Sequence, residues 1–327
     1  MAEYISAIPA WLAMLIGLIA LVWGADRFVA GSAATARNFG MSPLIIGLTI
    51  VSIGTSAPEI IVAINASLSG SGEMAVGNAL GSNLANIGLV LGVTALVAPL
   101  PTQPHLIKQE GPVLLAVTLL AGVLLLNDHL SRLDGIILAG LLVPLLWFTL
   151  HQKRGELSPR EVEEELEDIP TLNMTPALIW LLVGLGTLLL GSDLLVNGAT
   201  RTAQALGVSE LVIGLTVVAV GTSLPELATS IVSALRGHHD IALGNIFGSN
   251  LFNLLAVMSM PGLIAPLALD PQVFNRDFSA MALLTGLLLI GVIWSLRKRG
   301  GQARSGRLGR RFGALLVVLY CAYYSFL

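Results

Sequence analysis

One block of sequence occurs twice, and the spacing between the copies does not change. Residues 43–59 read PLIIGLTIVSIGTSAPE and residues 210–226 read ELVIGLTVVAVGTSLPE, with eleven of seventeen positions identical. Residues 77–86, GNALGSNLAN, return as 244–253, GNIFGSNLFN, with seven of ten identical. Both pairs are offset by 167, as are Gly24 and Gly191, Asp26 and Asp193, Gly40 and Gly207, and Pro99 and Pro266. One gapless offset held over some 75 residues marks an internal repeat. The chain reads as two copies of one unit, 1–151 and 174–327, joined by 152–173.

Each unit reads as membrane-embedded. Hydrophobic residues make up 55% of the chain and charged residues 11%, against about 25% charged in soluble domains. The apolar runs are long and continuous, which argues for helices and against an outer-membrane barrel. Ten runs qualify, at about 10–30, 42–68, 74–98, 111–128, 133–151, 175–199, 209–235, 241–265, 278–296 and 309–326. The expected fold is an all-α polytopic membrane protein of ten transmembrane helices, five per copy. An odd number reverses the second copy across the membrane. Secondary transporters use such inverted repeats, with substrate near the midplane. The first run lacks a basic leader and is followed by Asp26 and Arg27, so it reads as a retained helix rather than a signal peptide. With Cys321 as the single cysteine, structural disulfides and thiolate metal sites are excluded.

Basic residues avoid the translocated side of a membrane. With ten spans, 14 of the 17 Lys and Arg fall in one set of alternating loops, and only Arg132, Arg201 and Arg276 in the other. A missed span would scramble that split, so it supports the count and places both termini outside the cytoplasm. The 152–173 stretch then faces the cytoplasm. Ser158, Pro159 and Glu161 read there as a capped helix start, followed by Glu163, Glu164, Glu165, Glu167 and Asp168. No EF-hand spacing is present, so the stretch reads as a solvated acidic linker.

Two acids interrupt the apolar spans at matching positions, Glu59 and Glu226. A lone charge at that depth costs at least about 2.5–3.5 kcal/mol. None of the repeated blocks, 43–59, 77–86, 210–226 and 244–253, holds a Lys or Arg to neutralise it, so a bound cation is the simplest counter-charge. The neighbours supply oxygen. Thr55, Ser56 and Glu59 share one side of a helix, as do Thr222, Ser223 and Glu226. Pro58 and Pro225 remove a backbone donor. Carbonyls at Gly54 and Gly221, with Ser52, Ile53, Ala219 and Val220 close by, are therefore expected to line a cavity. On the next span Ser82 and Asn86, and Ser249 and Asn253, form i, i+4 pairs, and Asn78 and Asn245 are further candidates. Carboxylates, hydroxyls, amides and carbonyls, with no Cys or His, suit a hard cation, Ca²⁺ above all. Two carboxylates balance one Ca²⁺ or two Na⁺, and protons should compete at low pH. Asp26 and Asp193 read as interfacial or capping residues, and Glu110 and Asp277 as solvated residues beside loops.

The motifs GTSxPE and GNxxGSNxxN, each present twice, resemble the two alpha-repeats of the calcium/cation antiporter superfamily, specifically its bacterial sodium/calcium exchanger branch. The resemblance covers almost the whole chain, with the alpha motifs at 43–86 and 210–253. It implies a multi-pass protein of the inner (plasma) membrane with four central ion sites in a diamond. By motif position it implies ligands Ser52, Thr55, Ser56, Glu59, Ser82 and Asn86 from the first copy. From the second it implies Ala219, Thr222, Ser223, Glu226, Ser249 and Asn253. Ser52 and Ala219 would contribute backbone oxygens, and the glutamates would bind Ca²⁺ directly. The activity implied is secondary exchange of Ca²⁺ for Na⁺ by alternating access, with both ions as cargo and no prosthetic group. Members often carry Asp at one of the positions held here by Asn86 and Asn253, so this site is less acidic. Proton-coupled relatives usually carry Glu near the GN motif, where Gly81, Ser82 and Asn83 stand here, which favours Na⁺ over H⁺. The expected partners are the two ions and the lipid bilayer. No nucleic-acid partner is expected, and a monomer suffices for this plan.

Three other readings start from the same residues. An exchanger of H⁺ or another divalent cation keeps the fold. A cation channel would need a parallel ring of acids, which an inverted pair does not make. An intramembrane hydrolase needs His as a base, and His105, His129, His151, His238 and His239 all fall in loops or at span ends, so no enzyme is expected.

Overall fold

The computed structural model describes residues 8–152, 172–207, 219–296 and 306–325. The acidic linker helix expected around Ser158 lies outside the described residues, as does much of the run preceding Ala219.

Twelve helical elements are described: α1 (Ala10–Phe39), α2 (Pro43–Thr55), α3 (Ala57–Leu68), α4 (Gly72–Val97), α5 (Leu106–Leu125), α6 (Arg132–Gln152), α7 (Met174–Ala205), α8 (Ala219–Thr222), α9 (Leu224–Leu235), α10 (His239–Ile264), α11 (Val273–Ser295) and α12 (Arg310–Tyr324). The repeat shows in their bounds. Adding 167 to the ends of α4 gives the ends of α10, and adding it to the start of α5 gives the start of α11. Gly40 and Gly207, also 167 apart, both adopt positive φ just past α1 and α7. At Gly40 the amide closes on the carbonyls of Ala36 and Arg37, a turn that L side chains resist.

Seven of these helices are long and apolar enough to cross a membrane, and eight if the bent pair α2–α3 counts as one span. Against the ten expected, α9 (12 residues) and α12 (15 residues) are too short on these grounds. In α9's case, residues ahead of α8 lie outside the description.

The helices α1 and α7 run antiparallel along a seam of glycines seven residues apart: Gly17, Gly24 and Gly31 on one, Gly184, Gly191 and Gly198 on the other. A Cβ on Gly17 would lie 2.6 Å from the Leu195 backbone nitrogen, and one on Gly191 2.5 Å from that of Leu21. Small residues let membrane helices approach to backbone contact, and a seven-residue period keeps them on one seam.

The centre belongs to α4 and α10, the latter buried without interruption from Ile241 to Ser259. The last helix of each copy seats on the other copy. The helix α6 packs on the end of α10, where Gly135 meets Gly262, and α12 packs on the end of α4, where Gly313 meets Gly92. Short strand pairs repeat the crossing. Strand β1 (Leu100–Thr102) pairs with β4 (Gly306–Leu308), and β2 (His129–Leu130) pairs with β3 (Leu267–Ala268), both antiparallel.

Candidate cation site

Both glutamates sit at a break in a helix. The chain bends by 43° between α2 and α3, at Ser56. Ser223 adopts nearly the same backbone angles between α8 and α9. Pro58 and Pro225, in the first turn after each break, tolerate that position because its N–H has no helical partner. Glu59 and Glu226 follow in the same first turns. Free amides and the positive end of the helix dipole there favour negative charge.

The two copies meet at the site. Ser56 Oγ donates to Glu226 Oε1 at 3.2 Å, and Thr55 Oγ1 to Asn245 Oδ1 at 3.1 Å. Asn78 Nδ2 reaches the Glu59 carbonyl at 3.2 Å, and its counterpart Asn245 reaches the Glu226 carbonyl at 3.4 Å. Asn83 Nδ2 donates to the carbonyl of Asn250, its own counterpart, at 3.2 Å. A residue can touch its counterpart only near the axis relating two copies, so these residues lie at the interface of the repeats. Ser56, three residues before Glu59, thus brings the first copy's glutamate turn against Glu226 of the second.

Both glutamates are 1% exposed, and among the described residues neither forms an ion pair. The site also lacks hydrogen-bond partners. Eight buried polar atoms have none: Glu59 Oε2, Glu226 Oε2, Ser223 Oγ, Ser249 Oγ, and both side-chain atoms of Asn86 and of Asn253. Orphaning one buried polar group costs about 1–3 kcal/mol, so eight together call for a ligand. Six of the eight are oxygens, which suits a hard cation. Among the described residues no group of three or more His, Cys, Asp and Glu is placed to hold a metal. Hydroxyls and amides must therefore complete any cation's coordination.

The other expected residues fall variously. Ser82 is buried beside the GN motif, Thr222 is half-buried, and Ala219 opens α8. The Ser52 hydroxyl donates back to Leu48 at 2.8 Å, while its carbonyl accepts from the Ser56 amide at 2.9 Å. The Gly221 carbonyl, expected to be spare, accepts from Ser192 Oγ of α7 at 3.0 Å and ties α7 to the break. Glu110 and Asp277 are not simply solvated. Glu110 is buried against His105 Nδ1 at 3.1 Å, and Asp277 accepts from Tyr323 Oη at 2.8 Å and pairs with Arg276. Asp26 caps nothing, because it stands inside α1 and pairs with Arg236.

Three residues near the site escape a motif reading. Thr229, Ser230 and Ser233 on α9 are all fully buried, and Ser230 Oγ accepts from Asn245 Nδ2 at 3.1 Å. Their trace in the sequence is their spacing from Glu226, at i+3, i+4 and i+7.

The sequence profile of the family described as sodium/calcium exchanger protein matches residues 9–151 and 176–327. The putative antiporter CaxA of Alkalimonas amylolytica is 44% identical over 315 residues, covering 95% of this chain and 96% of that protein. The inner membrane protein YrbG of Escherichia coli K12 is 41% identical, covering 93% and 92%. A solved structure of the sodium-calcium exchanger NCX_Mj superposes with a TM-score of 0.82 at 33% identity, covering 97% of this chain and 98% of that one. With both halves matched by one profile, the chain belongs to the sodium/calcium exchanger protein family.

Proposed function

We propose that the protein exchanges Ca²⁺ for Na⁺ across the inner membrane by alternating access at the Glu59–Glu226 site. The observation that carries this reading is the eight orphaned polar atoms around two unneutralised carboxylates, drawn from both copies. In this reading the full architecture is ten spans in two inverted five-helix repeats, with 152–173 as a cytoplasmic linker. The contacts between loops support it. Gln103 bonds Asp240 at 3.1 Å at one end of the bundle, and Glu73 accepts from the Asp270 amide at 3.2 Å at the other. Loops 167 apart thus fall at opposite ends, as inversion requires.

Ca²⁺ binds both carboxylates, with Thr55, Thr222, Ser56, Ser223, Ser82, Ser249, Asn86 and Asn253 and the Ser52 and Ala219 backbone supplying further oxygens for Ca²⁺ or Na⁺. The two ions compete for overlapping oxygens, so a loaded site crosses and an empty one is held back by the cost of two exposed charges. The glycine seam lets α1 and α7 move as one body over the core. Their backbones already touch, and Trp23 of α1 packs edge-on against Trp180 of α7 beside the seam, which holds the pair together. Exchange of three Na⁺ for one Ca²⁺ would move one net charge, worth about 2.3 kcal/mol per 100 mV.

The test is ⁴⁵Ca²⁺ uptake into Na⁺-loaded proteoliposomes for the wild type, Glu59→Gln and Glu226→Gln. Uptake that needs internal Na⁺ and disappears in both variants is expected. Uptake driven by a pH gradient without Na⁺ would replace Na⁺ by H⁺ in the reading, and normal uptake in either variant would overturn the site.

A further inference from the structure

The two copies part company on the helix that follows each glutamate. On α9, Glu226, Thr229, Ser230 and Ser233 share one face by spacing, and the last three are fully buried. Leu224, Ala228 and Val232 take the opposite face and join the apolar cluster of α1 around Leu21, Ala25 and Phe28. At the counterpart positions on α3 stand Val62, Ala63 and Ala66. The helix α9 also packs on residues 86–97 of α4, where Asn86 and Thr94 are buried, and the counterpart of Thr94 is Pro261.

Buried hydroxyls in membrane helices usually donate to their own preceding turn. Thr35, Thr49, Ser67 and Thr285 do so, each to the carbonyl four residues back. Thr94, Thr229 and Ser233 do not. Their hydroxyls, at 0% exposure, have no partner, nor has either side-chain atom of Asn86. Valine and alanine would fill the same space without that cost, and α3 carries them at the counterparts of Thr229 and Ser233. Packing therefore does not account for the hydroxyls, whereas an ion shedding its water shell does.

We propose that the α9–α4 seam, from Ser233 and Thr94 through Thr229 to Asn86 and Glu226, is the hydrophilic route by which Na⁺ and Ca²⁺ reach the site from one end of the bundle. The counterpart seam between α3 and α10 lacks this row of hydroxyls, with Val62, Ala66 and Pro261 at the matching positions. The route opens at the end bearing loops 98–105 and 236–238, where Gln103 of the first loop bonds Asp240 in the opening turn of α10. That end carries Lys108 and Arg236, the cytoplasmic side by the distribution of basic residues. The successive hydroxyl oxygens replace hydration water stepwise for a hard cation. This assignment rests on the cation-exchange reading of Glu226.

Cysteine labelling tests it without requiring transport. In a Cys321→Ser background, Thr229→Cys and Ser233→Cys are compared with their counterparts Val62→Cys and Ala66→Cys. The probe is a membrane-impermeant cationic thiosulfonate, applied to inside-out and right-side-out vesicles. The α9 cysteines should react about tenfold or more faster than the α3 cysteines, since thiol reactivity follows access and hydration. They should react from the cytoplasmic face only, and more slowly with Ca²⁺ present. Equal rates at counterpart positions, or reaction of position 233 from the opposite face, would overturn the route. A wild type without Na⁺-dependent Ca²⁺ uptake would sink the exchange reading and leave the labelling result to stand by itself.

Discussion

The helices α3 and α9 occupy equivalent places in the two copies, and they have diverged in an informative way. Each begins at a break, carries a proline and presents a buried glutamate in its first turn. Up to that point the copies are nearly interchangeable. Beyond it α3 continues with Val62, Ala63 and Ala66 where α9 has Thr229, Ser230 and Ser233. In the proposed exchange, the shared part is what two carboxylates need in order to face one ion. The divergent part concerns what lies between the ion and each end of the bundle. The repeat supplies matching glutamates to the candidate site, and a handful of hydroxyls makes its surroundings unequal.

That comparison can be broken first at the shared part. Glu59→Gln and Glu226→Gln should be about equally damaging, because each leaves the other carboxylate with a cation it cannot balance. Removing one partner of a buried charge pair costs about 2–5 kcal/mol, roughly 30- to 5,000-fold in binding. Isothermal titration with Ca²⁺ checks this, and a large difference between the two variants would mean the site is not shared. Next comes the divergent part. Thr229→Val with Ser233→Ala makes α9 resemble α3, and Na⁺-dependent Ca²⁺ exchange should slow about tenfold through lost oxygen contacts. Equilibrium Ca²⁺ affinity should hold, and unchanged flux would show that the asymmetry does not serve transport.

Asn245 and Asn78 give a finer comparison. Both clamp the carbonyl of a glutamate, but Asn245 also bonds Thr55 and Ser230. Asn245→Ala should lower stability by about 1–3 kcal/mol and Asn78→Ala by about 1 kcal/mol, read as thermal melting in detergent. A larger loss at Asn78 would reverse the comparison. The smallest effect is expected at Arg236, whose pair with Asp26 joins α9 to α1 at about one-third exposure. The counterparts, Ser69 and Asp193, cannot form an ion pair. Arg236→Gln should cost about 0–1 kcal/mol and alter flux most at low ionic strength, which exchange assays across a salt series will show.

Much of the candidate site was legible because the cost of its residues is local. An acid in an apolar run is expensive wherever its helix packs, so Glu59 and Glu226 declared themselves, and the repeat doubled that evidence. Asn86 and Asn253 could be named from the i, i+4 pattern. Hydroxyls were harder to read. Ser52 turned back on its own helix, as serines in membranes usually do, whereas Thr229 and Ser233 did not, and nothing within one turn of chain separates the two behaviours. The Gly221 carbonyl looked spare because Pro225 withdraws its usual donor, but Ser192 of another helix supplied one.

The amino-acid sequence by itself determined the duplication, and with it the apolar runs, the helix breaks just before Pro58 and Pro225 and the oxygen-rich chemistry, which depend on residues close together along the chain. Tertiary structure alone decided that α6 and α12 cross to the opposite copy, that the glycine rows of α1 and α7 meet in register, and which buried hydroxyls find no acceptor. Those outcomes depend on helices far apart in sequence arriving side by side, where a one-residue change of register would exchange every partner.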